Sequence, residues 1–514
     1  IHEGDSKIWI SVDTETNLIK QAEALENVDS KSLPLYGIPF AVKDNIDVGN
    51  LPTTAACPDY KYFPENDASV IAQLRAAGAI PIGKTNLDQF ATGLVGVRSP
   101  YGVPGNAFDP DYIPGGSSSG SAVSVALGQV SFSLGTDTAG SGRVPACFNN
   151  LIGLKPSRGL ISATGVVPAC RSLDCVSILS LNSGDAQTIL RAAAHFDPTD
   201  PYSRHAPNPT PSSSGPLTFG APYPTQLEFF GNDSYMEAYL QAVERLESLG
   251  YKKQVIDFAP FLEAARLLYE GPWVAERYWA IKDLIETAPE ILYPTTRAII
   301  ESGRNYSSVD TFDAIYKLQA LKLRTDAVMQ EIDFLATPTA GTHYTIAEVE
   351  DEPIALNSNL GYYTNFMNLL DLSAIATPTA KLKNGMPFGI TLIGSAFQDE
   401  SLLSIADKLH QASDLHLGVS KIKRHRNLEP YGPATRPIVV CGAHMSGLPL
   451  NHQLTELGAT LRKQCSTAPS YRLFALPDTV PPKPGMIRDN SNGAAIEVEA
   501  WDLPISQWGA FIDQ

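Results

Sequence analysis

Residues Pro114–Gly159 read PGGSSSGSAVSVALGQVSFSLGTDTAGSGRVPACFNNLIGLKPSRG, and this stretch directs the interpretation of the whole chain. Two clusters rich in glycine and serine, 115–121 and 135–142, enclose a segment of small apolar residues. Flexible linkers are also rich in glycine and serine, but a linker would not carry a helix of alanine and valine between its two halves. We therefore predict a loop, a buried helix and a second glycine loop that presents Ser141.

The composition is typical of a large globular protein that acts on small molecules. The chain has 514 residues, 43% of them hydrophobic, and a net charge of −17. An acidic chain disfavours nucleic-acid binding, because phosphates need a basic surface. No apolar run is long enough to cross a bilayer. Six cysteines without a CxxC pair indicate reduced thiols, so we expect a cytoplasmic protein.

The elements before this stretch predict an α/β fold. Residues 35–45 form a short apolar run bounded by glycine and proline, which indicates a buried strand with Lys43 at its end. A helix over 67–77 and a strand over 80–83 follow, so we expect a mixed or mostly parallel sheet. Sites form at the carboxyl ends of such strands, where Lys43 and Lys84 both lie. Without further context, we favour the interpretation that the side chain of Lys43 reaches the surface over the interpretation that it is a buried functional group.

Two domains are predicted. Residues 1–417 form a catalytic domain, in which 233–332 are a largely helical region on the substrate side. The basic, proline-containing segment 418–437 lacks periodicity and is predicted to be a linker. Residues 438–514 form a small, mostly β domain. Because the sequence starts at Ile-His and ends abruptly, we expect both ends to be cut short.

Three shorter segments also carry predictions. Helices are expected over 86–93 and, without interruption, over 261–287. The segment 197–216 is rich in proline and serine, which is compatible with a linker. We favour a long surface loop there, since α/β alternation resumes after it.

Ser141 is the candidate nucleophile. It lies between Gly140 and Gly142, where backbone can approach a substrate closely. A serine needs a base, and none of the nine histidines has the context of a catalytic triad. The Gly-x-Ser-x-Gly pattern is not matched either. A lysine can serve if burial lowers its pKa. The flanking Asp137 and Arg143 are expected to hold the loop by an ion pair.

Three motifs together resemble the amidase signature family. They are GIPFAVKD at 37–44, the cluster at 115–121 and GTDTAGS at 135–141. The resemblance covers about residues 10–415 and implies an α/β fold around a mixed sheet, with a Ser–cis-Ser–Lys triad.

The resemblance also implies the role of each triad residue. Ser141 is the nucleophile, Ser117 is the bridging serine with a cis peptide, and Lys43 is the base. Neutral Lys43 would take a proton from Ser117, which takes one from Ser141. The oxyanion hole is implied to consist of the amides of Thr138, Ala139, Gly140 and Ser141.

Departures from the commonest family pattern point to a subgroup. Ala139 replaces a glycine and Gly142 replaces a branched apolar residue. The resulting GTDTAGSGRVPA, together with 316–324 and 363–372, resembles allophanate hydrolases. Gly142 then suits a compact polar substrate that needs space.

Allophanate is carboxylated urea, so its site needs a cation for the carboxylate. The resemblance implies that Tyr316 and Arg324 serve it, on the helix YKLQALKLR. The alternative is a solvated helix face that carries Arg324 and its lysine neighbours. Arg297 and Arg304 are weaker candidates for the same task.

The C-terminal segment resembles the small γ-glutamylcyclotransferase-like domain of allophanate hydrolases, through VCGAHMSGLPLNH at 440–452. In that family this domain is thought to decarboxylate the first product, N-carboxycarbamate. His444 and His452 are the candidate polar groups, and the alternative for each is a purely structural histidine.

The sequence thus predicts hydrolysis of allophanate with release of ammonia, in urea degradation, without a metal or other cofactor. Another amidase or the glutamine-hydrolysing subunit of a tRNA amidotransferase is the rival, and a non-catalytic scaffold is a third alternative. A phosphate-binding loop is disfavoured because no Gly-Lys-Ser/Thr follows the glycines. The resemblance suggests a homodimer. It also allows fusion to a biotin-dependent urea carboxylase, since we expect both ends of the sequence to be cut short.

Overall fold

The computed structural model describes residues 7–207, 216–423, 435–475, 484–504 and 507–512. Two compact units form: of the described residues, the first holds 7–206 and 216–423, and the second holds Pro207 and those from 435 onward. Much of the predicted surface loop and linker, 208–215 and 424–434, lies outside these residues. No helix in the described ranges is long and apolar enough to span a membrane.

The first unit is built on an eleven-stranded mixed sheet. Its strand order is β1-β3-β2-β4-β6-β5-β10-β11-β9-β7-β8. The strands are β1 Trp9–Val12, β2 Pro39–Lys43, β3 Ile80–Thr85, β4 Phe132–Asp137, β5 Ile152–Lys155, β6 Cys175–Ser180, β7 Thr218–Pro222, β8 Lys252–Ile256, β9 Phe334–Pro338, β10 Leu372–Lys381 and β11 Pro387–Ser395.

Strand β2, which ends in Lys43, lies between β3 and β4 in the sheet. It runs parallel to both β3 and β4, while β4 pairs antiparallel with β6, so the sheet is mixed as the sequence predicted. The continuous apolar run of β2 is explained by burial on both faces: Phe40, Ala41 and Val42 are fully buried. The parallel neighbours bring the carboxyl ends of β2 and β4 to one edge of the sheet.

Helices cover this sheet. They are α1 Glu15–Glu23, α2 Ser69–Ala76, α3 Ser119–Ala126, α4 Arg143–Phe148, α5 Ser183–Ala193, α6 Asp233–Ser248, α7 Ala259–Glu270, α8 Trp273–Ala280, α9 Lys282–Thr287, α10 Pro294–Glu301, α11 Ser308–Gln330, α12 Ile346–Asp351, α13 Ala355–Leu360 and α14 Asp399–Ala412. Helix α3 is the predicted buried helix, and all eight of its residues are buried.

Two helix predictions were wrong. The segment 86–93 contains only a 3-10 turn, Gln89–Ala91, because Phe90 and Ala91 both have positive φ, 50° and 52°. The single helix over 261–287 is three helices, α7 to α9, and Pro272 follows the end of the first. Proline has no N–H for the helical ladder, so it begins a new helix instead of continuing the old one.

The second unit is small and mostly β. It contains the sheets β12-β16-β13 and β14-β15 around a cluster that includes Leu454, Trp501 and Leu503. Its elements are β12 Thr435–Val440, α15 His452–Thr455, β13 Thr460–Ser466, β14 Tyr471–Ala475, β15 Pro484–Arg488, β16 Glu497–Pro504 and α16 Trp508–Ile512. Sequence reasoning missed β13, because TLRKQCS is largely polar and all seven residues are exposed.

Candidate active site

Lys43 and Ser117 are in direct contact. Lys43 ends β2, and Ser117 follows a cis peptide bond with Gly116. The Nζ of Lys43 donates to Ser117 Oγ at 2.7 Å and to Thr136 Oγ1 at 2.7 Å. Lys43 and Ser117 are fully buried, so both groups exchange hydrogen bonds with protein and not with bulk water.

Ser141 lies after β4, on the loop beside Ser117. The backbone N–H of Ser118 donates to the Ser141 carbonyl at 3.2 Å, which joins the two serine loops. The Ser141 hydroxyl donates to the carbonyl of Gly93 at 3.4 Å. Within the described residues no hydrogen bond joins the hydroxyls of Ser117 and Ser141, so the relay between them stays a prediction.

The environment of Lys43 favours its neutral form. The pKa of Lys43 is lowered from 10.5 to about 7, chiefly by burial, with a smaller contribution from the nearby charge of Arg277. The buried carboxyls of Asp88, Asp174 and Asp137 oppose this effect. A lysine with a pKa near neutrality can accept a proton at physiological pH.

An ion pair fixes the nucleophile loop. Asp137 and Arg143 are both fully buried, and Asp137 Oδ2 lies 2.9 Å from Arg143 Nε. The same carboxylate accepts from the amides of Gly140 at 2.9 Å and Gly142 at 3.1 Å. Burial opposes ionisation of Asp137, but Arg143 and these amides hold its pKa below the ordinary value. The pair thus braces the turn that carries Ser141.

The oxyanion-hole prediction needs one correction. The Gly140 amide already donates a hydrogen bond to Asp137, so it stabilises the loop and is not available to an oxyanion. Among the described residues, the amides of Thr138, Ala139 and Ser141 have no acceptor, which leaves them able to bind an oxyanion. Gly140 itself needs to be glycine because its φ is +131° and a Cβ would meet Thr364.

The structure gives a reason for glycine at position 142 that the sequence did not predict. The space that its side chain would fill is occupied by the side chain of Ser177 on β6. The glycine is therefore required for packing between the nucleophile loop and the sheet. The predicted role of Gly142 in giving space to a compact polar substrate stays a prediction.

Sequence reasoning missed a buried cation, Arg277 on α8. Arg277 is 2% exposed and donates to Ala91 O, to Thr92 Oγ1 at 3.2 Å and to Tyr269 OH at 3.4 Å. Its Nε has no hydrogen-bond partner, and no carboxylate in the described chain forms an ion pair with it. Pro272, which separates α7 from α8, is the residue from which the break between these helices could have been predicted.

The segment 91–93 connects this cation to the nucleophile. Arg277 contacts Ala91 and Thr92, and the next residue, Gly93, accepts the hydroxyl of Ser141. Backbone strain accompanies these contacts, since Ala91 and its neighbour Phe90 have positive φ. The short segment thus links the guanidinium of Arg277 to the hydroxyl of Ser141, the candidate nucleophile, through three consecutive residues.

The arginines and tyrosine that the sequence suggested for a carboxylate have other neighbours. On α11, Tyr316 is 69% exposed and lies against Phe312, while Arg324 pairs with Glu263 at 3.3 Å near the surface. The two weaker candidates also have partners of their own. Arg297 pairs with Glu301, and Arg304 lies over the ring of Tyr278.

The second unit holds a polar cluster of its own. His444 is half-buried, and its Nε2 lies 2.8 Å from Gln453 Oε1. The nearby Ser446 donates through both its amide and its hydroxyl to Glu499, which is 1% exposed. His452 is exposed, with Nδ1 2.9 Å from the Pro449 carbonyl. No group of residues suited to a metal ion is found in the described part of the chain.

Two family models match the chain. The amidase model matches residues 2–403, and the model of the allophanate hydrolase C-terminal domain matches 436–514. Urea amidolyase of Saccharomyces cerevisiae is 46% identical over 98% of this chain, but the chain spans only 28% of the length of that protein. A glutamyl-tRNA(Gln) amidotransferase subunit of Lysinibacillus sphaericus is 32% identical over 82% of the chain and 92% of the relative.

Two solved structures are also similar to this chain. Allophanate hydrolase of Kluyveromyces lactis matches with a TM-score of 0.85 and 44% identity, over 98% of this chain and 85% of that one. The whole urea amidolyase of the same yeast also matches, with a TM-score of 0.85 and 44% identity, and the match covers 98% of this chain and 31% of that protein.

Proposed function

The chain belongs to the amidase family, and from this premise we propose that it hydrolyses allophanate, with release of ammonia and N-carboxycarbamate. Support comes from the similarity to allophanate hydrolase and from the second family match at 436–514. The observation that carries the choice of substrate is the buried guanidinium of Arg277, which lacks a carboxylate partner among the described residues.

The proposed acylation begins with neutral Lys43. Lys43 accepts the proton of Ser117 as Ser117 accepts that of Ser141, and Ser141 Oγ attacks the terminal amide carbonyl. The proton returns through the same groups to the leaving nitrogen, so ammonia departs and Ser141 Oγ carries the remaining –CO–NH–COO− group as a carbamate ester. Water then adds to this ester and releases N-carboxycarbamate. The amides of Ala139 and Ser141 are the proposed donors to the oxyanion.

We propose Arg277 and Tyr269 as the partners of the substrate carboxylate, in place of Arg324 and Tyr316. The more distant carboxyls of Asp174 and Glu276 favour the charged form of Arg277, but no carboxylate in the described chain forms a direct ion pair with it, so a substrate carboxylate could form one. Arginine binds carboxylates through two parallel N–H donors. In the described chain Nε of Arg277 has no partner and Nη2 donates only to the Tyr269 hydroxyl, so Nε and the second N–H of Nη2 are the two donors proposed for the substrate.

Decarboxylation of the product by the second unit is also a proposal. Loss of CO2 from N-carboxycarbamate leaves carbamate once a proton reaches the nitrogen, so the step needs a proton donor. His444 is the better candidate of the two predicted histidines, because Gln453 orients its ring. His452 is exposed and directed at a backbone carbonyl.

The cellular context and the assembly of the chain are also proposals. We propose that the chain works in the cytoplasm, as a homodimer, and joined to a urea carboxylase as in the urea amidolyases that it resembles. Its similarity to an amidotransferase that acts on glutamyl-tRNA(Gln) keeps glutamine as the alternative substrate.

Ammonia release from allophanate, glutamine and a simple apolar amide tests the proposal. The native chain should act on allophanate at least about 100-fold better than on either amide, and Ser141→Ala should abolish this activity. Ser124→Ala is a matched control on α3, because the Ser124 hydroxyl donates to the Ser121 carbonyl within that helix and the triad residues should keep their contacts. Preferred turnover of glutamine, or full activity of Ser141→Ala, would refute the proposal.

A further inference from the structure

A single side chain holds the backbone that leads into the turn of Ser141. Asn368 lies in the turn-rich segment 361–371 before β10 and is 1% exposed. Its Nδ2 donates to the carbonyl of Asp137 at 2.7 Å and to the carbonyl of Thr138 at 3.0 Å. A side-chain amide has two N–H donors, so these two consecutive carbonyls use both of them.

The two hydrogen bonds fix the direction of two peptide N–H groups. Both peptides are trans, and in a trans peptide the C=O and the N–H point in opposite directions. The carbonyl of Asp137 shares its peptide with the N–H of Thr138, and the next carbonyl shares its peptide with the N–H of Ala139. Because both carbonyls point toward Asn368, both N–H groups point away from it, on the same side of the chain. Neighbouring N–H groups on one side form a nest that binds anions.

The same two N–H groups are available to an oxyanion. Among the described residues neither Thr138 nor Ala139 has an acceptor for its N–H, although the two residues are only 2% and 1% exposed. Buried N–H groups without a partner are rare in native proteins. The next N–H, that of Gly140, differs because it donates to Asp137. The nest thus ends before the glycine, and its two N–H groups are directed to a site where a substrate can accept from them.

Other contacts fix the Asn368 amide and the loop independently of each other. The Asn368 Oδ1 lies 3.7 Å from the Sγ of Cys175, which can donate to it, so the amide cannot turn over without losing three contacts. On the loop, the Thr138 hydroxyl donates to the buried carboxyl of Asp174. The buried ion pair described above holds the same loop. These contacts should keep the loop in place when the Asn368 amide is replaced.

We infer that Asn368 is a positioning residue of the proposed acyl transfer, because it directs two consecutive N–H groups, those of Thr138 and Ala139, toward the oxyanion of the reacting acyl group. This role rests on the proposed attack by Ser141 but not on the identity of the substrate. Donors that are oriented before the reaction stabilise the developing charge without the cost of turning dipoles during it. The segment 363–372, part of the resemblance in the sequence, thus contributes to the chemistry.

Labelling of Ser141 by an alkyl fluorophosphonate tests this role without allophanate. The serine Oγ displaces fluoride, and the phosphoryl oxygen takes the place of the oxyanion. Mass spectrometry of the intact chain gives two quantities: the rate constant, which reports on the oxyanion hole, and the final labelled fraction, which reports how much chain is folded. Asn368→Asp removes both donors and should lower the rate constant at least about 100-fold. Asn368→Ala, which buries no charge, should give a loss of the same order.

Asn150→Asp is the matched control. Asn150 is 6% exposed, and its Nδ2 likewise donates to two backbone carbonyls, those of His416 at 2.8 Å and Gly418 at 3.0 Å. These carbonyls lie outside the two serine loops, so this variant should lower the labelled fraction at most and leave the rate constant unchanged. An equal fall of the rate constant in Asn150→Asp would overturn the inference.

The pH dependence of labelling separates this role from damage to the base. Lys43 keeps its contacts in the Asn368 variants, so the midpoint of the pH profile should stay where it is in the native chain. A shifted midpoint would assign the loss to the base and overturn the inference. Native rate constants in both Asn368 variants would also overturn it, while leaving Ser141 as the nucleophile. A native chain that is not labelled at Ser141 would refute the proposed acyl transfer itself, and this role with it.

Discussion

The pH dependence of kcat/KM for allophanate reports on Lys43, because only its neutral form can start the proposed acylation. Burial lowers the pKa of Lys43 from 10.5 to about 7, a change that corresponds to about 5 kcal/mol. The neutral fraction is then about 9% at pH 6 and about 99% at pH 9. With the ordinary pKa, the neutral fraction would be only about 3% at pH 9.

We therefore expect kcat/KM to rise about tenfold per pH unit below pH 6.5 and to level off above pH 8. The assay is the initial rate of ammonia release at low allophanate concentration, corrected at each pH for spontaneous decomposition. Asp88 raises the pKa of Lys43, so Asp88→Asn should move the midpoint of the profile to lower pH. A rate that rises without levelling up to pH 9.5 would refute the assignment of Lys43 as a buried neutral base.

The same burial makes a prediction about stability. The folded pKa of Lys43, about 7, lies below its unfolded value of 10.5, so the unfolded chain binds more protons between these values and the stability of the native chain rises with pH there. Lys43→Met should thus raise the unfolding free energy, and most strongly below pH 7. The gain there is up to about 5 kcal/mol, from which the cost of two lost hydrogen bonds is subtracted. This advantage should disappear above pH 10.5, and a chemical denaturation series at pH 6, 8 and 10.5 measures it. A gain that does not depend on pH would contradict the reasoning. Gly142→Ala should lower both activity and stability, by about 1–3 kcal/mol, since its methyl group meets Ser177. Denaturation midpoints measure the loss, and an unchanged midpoint would show that this packing is looser than the structure indicates.

The sequence predicted those parts of the site that depend on local pattern. An apolar run bounded by glycine and proline was enough to place Lys43 at the end of a buried strand. The position of Ser141 between two glycines likewise indicated a turn of the backbone near a substrate. In both cases the informative residues are adjacent in the chain, whereas burial of the Lys43 side chain was not expected from the residues alone and its role as the base came from the family resemblance.

Arg277 was missed because its role depends on a contact between distant segments. It lies almost 190 residues after Ala91, and the two meet only once α8 has packed against the segment 91–93. Reading 261–287 as one helix concealed the break at Pro272 that starts α8. The residues chosen in its place, Tyr316 and Arg324, lie on a helix with apolar residues on opposite faces, and the sequence does not say which face is buried.

The measurement that decides between these arginines compares allophanate with biuret, in which a carboxamide replaces the carboxylate. Both substrates are assayed on the same preparation, so the fraction of active enzyme cancels from the ratio of the two kcat/KM values. Arg277→Met should lower the preference for allophanate at least about 100-fold, through loss of about 3 kcal/mol of charge-assisted binding, while Arg324→Met should leave it unchanged. An unchanged preference in Arg277→Met, or a loss in Arg324→Met instead, would contradict the proposed carboxylate site.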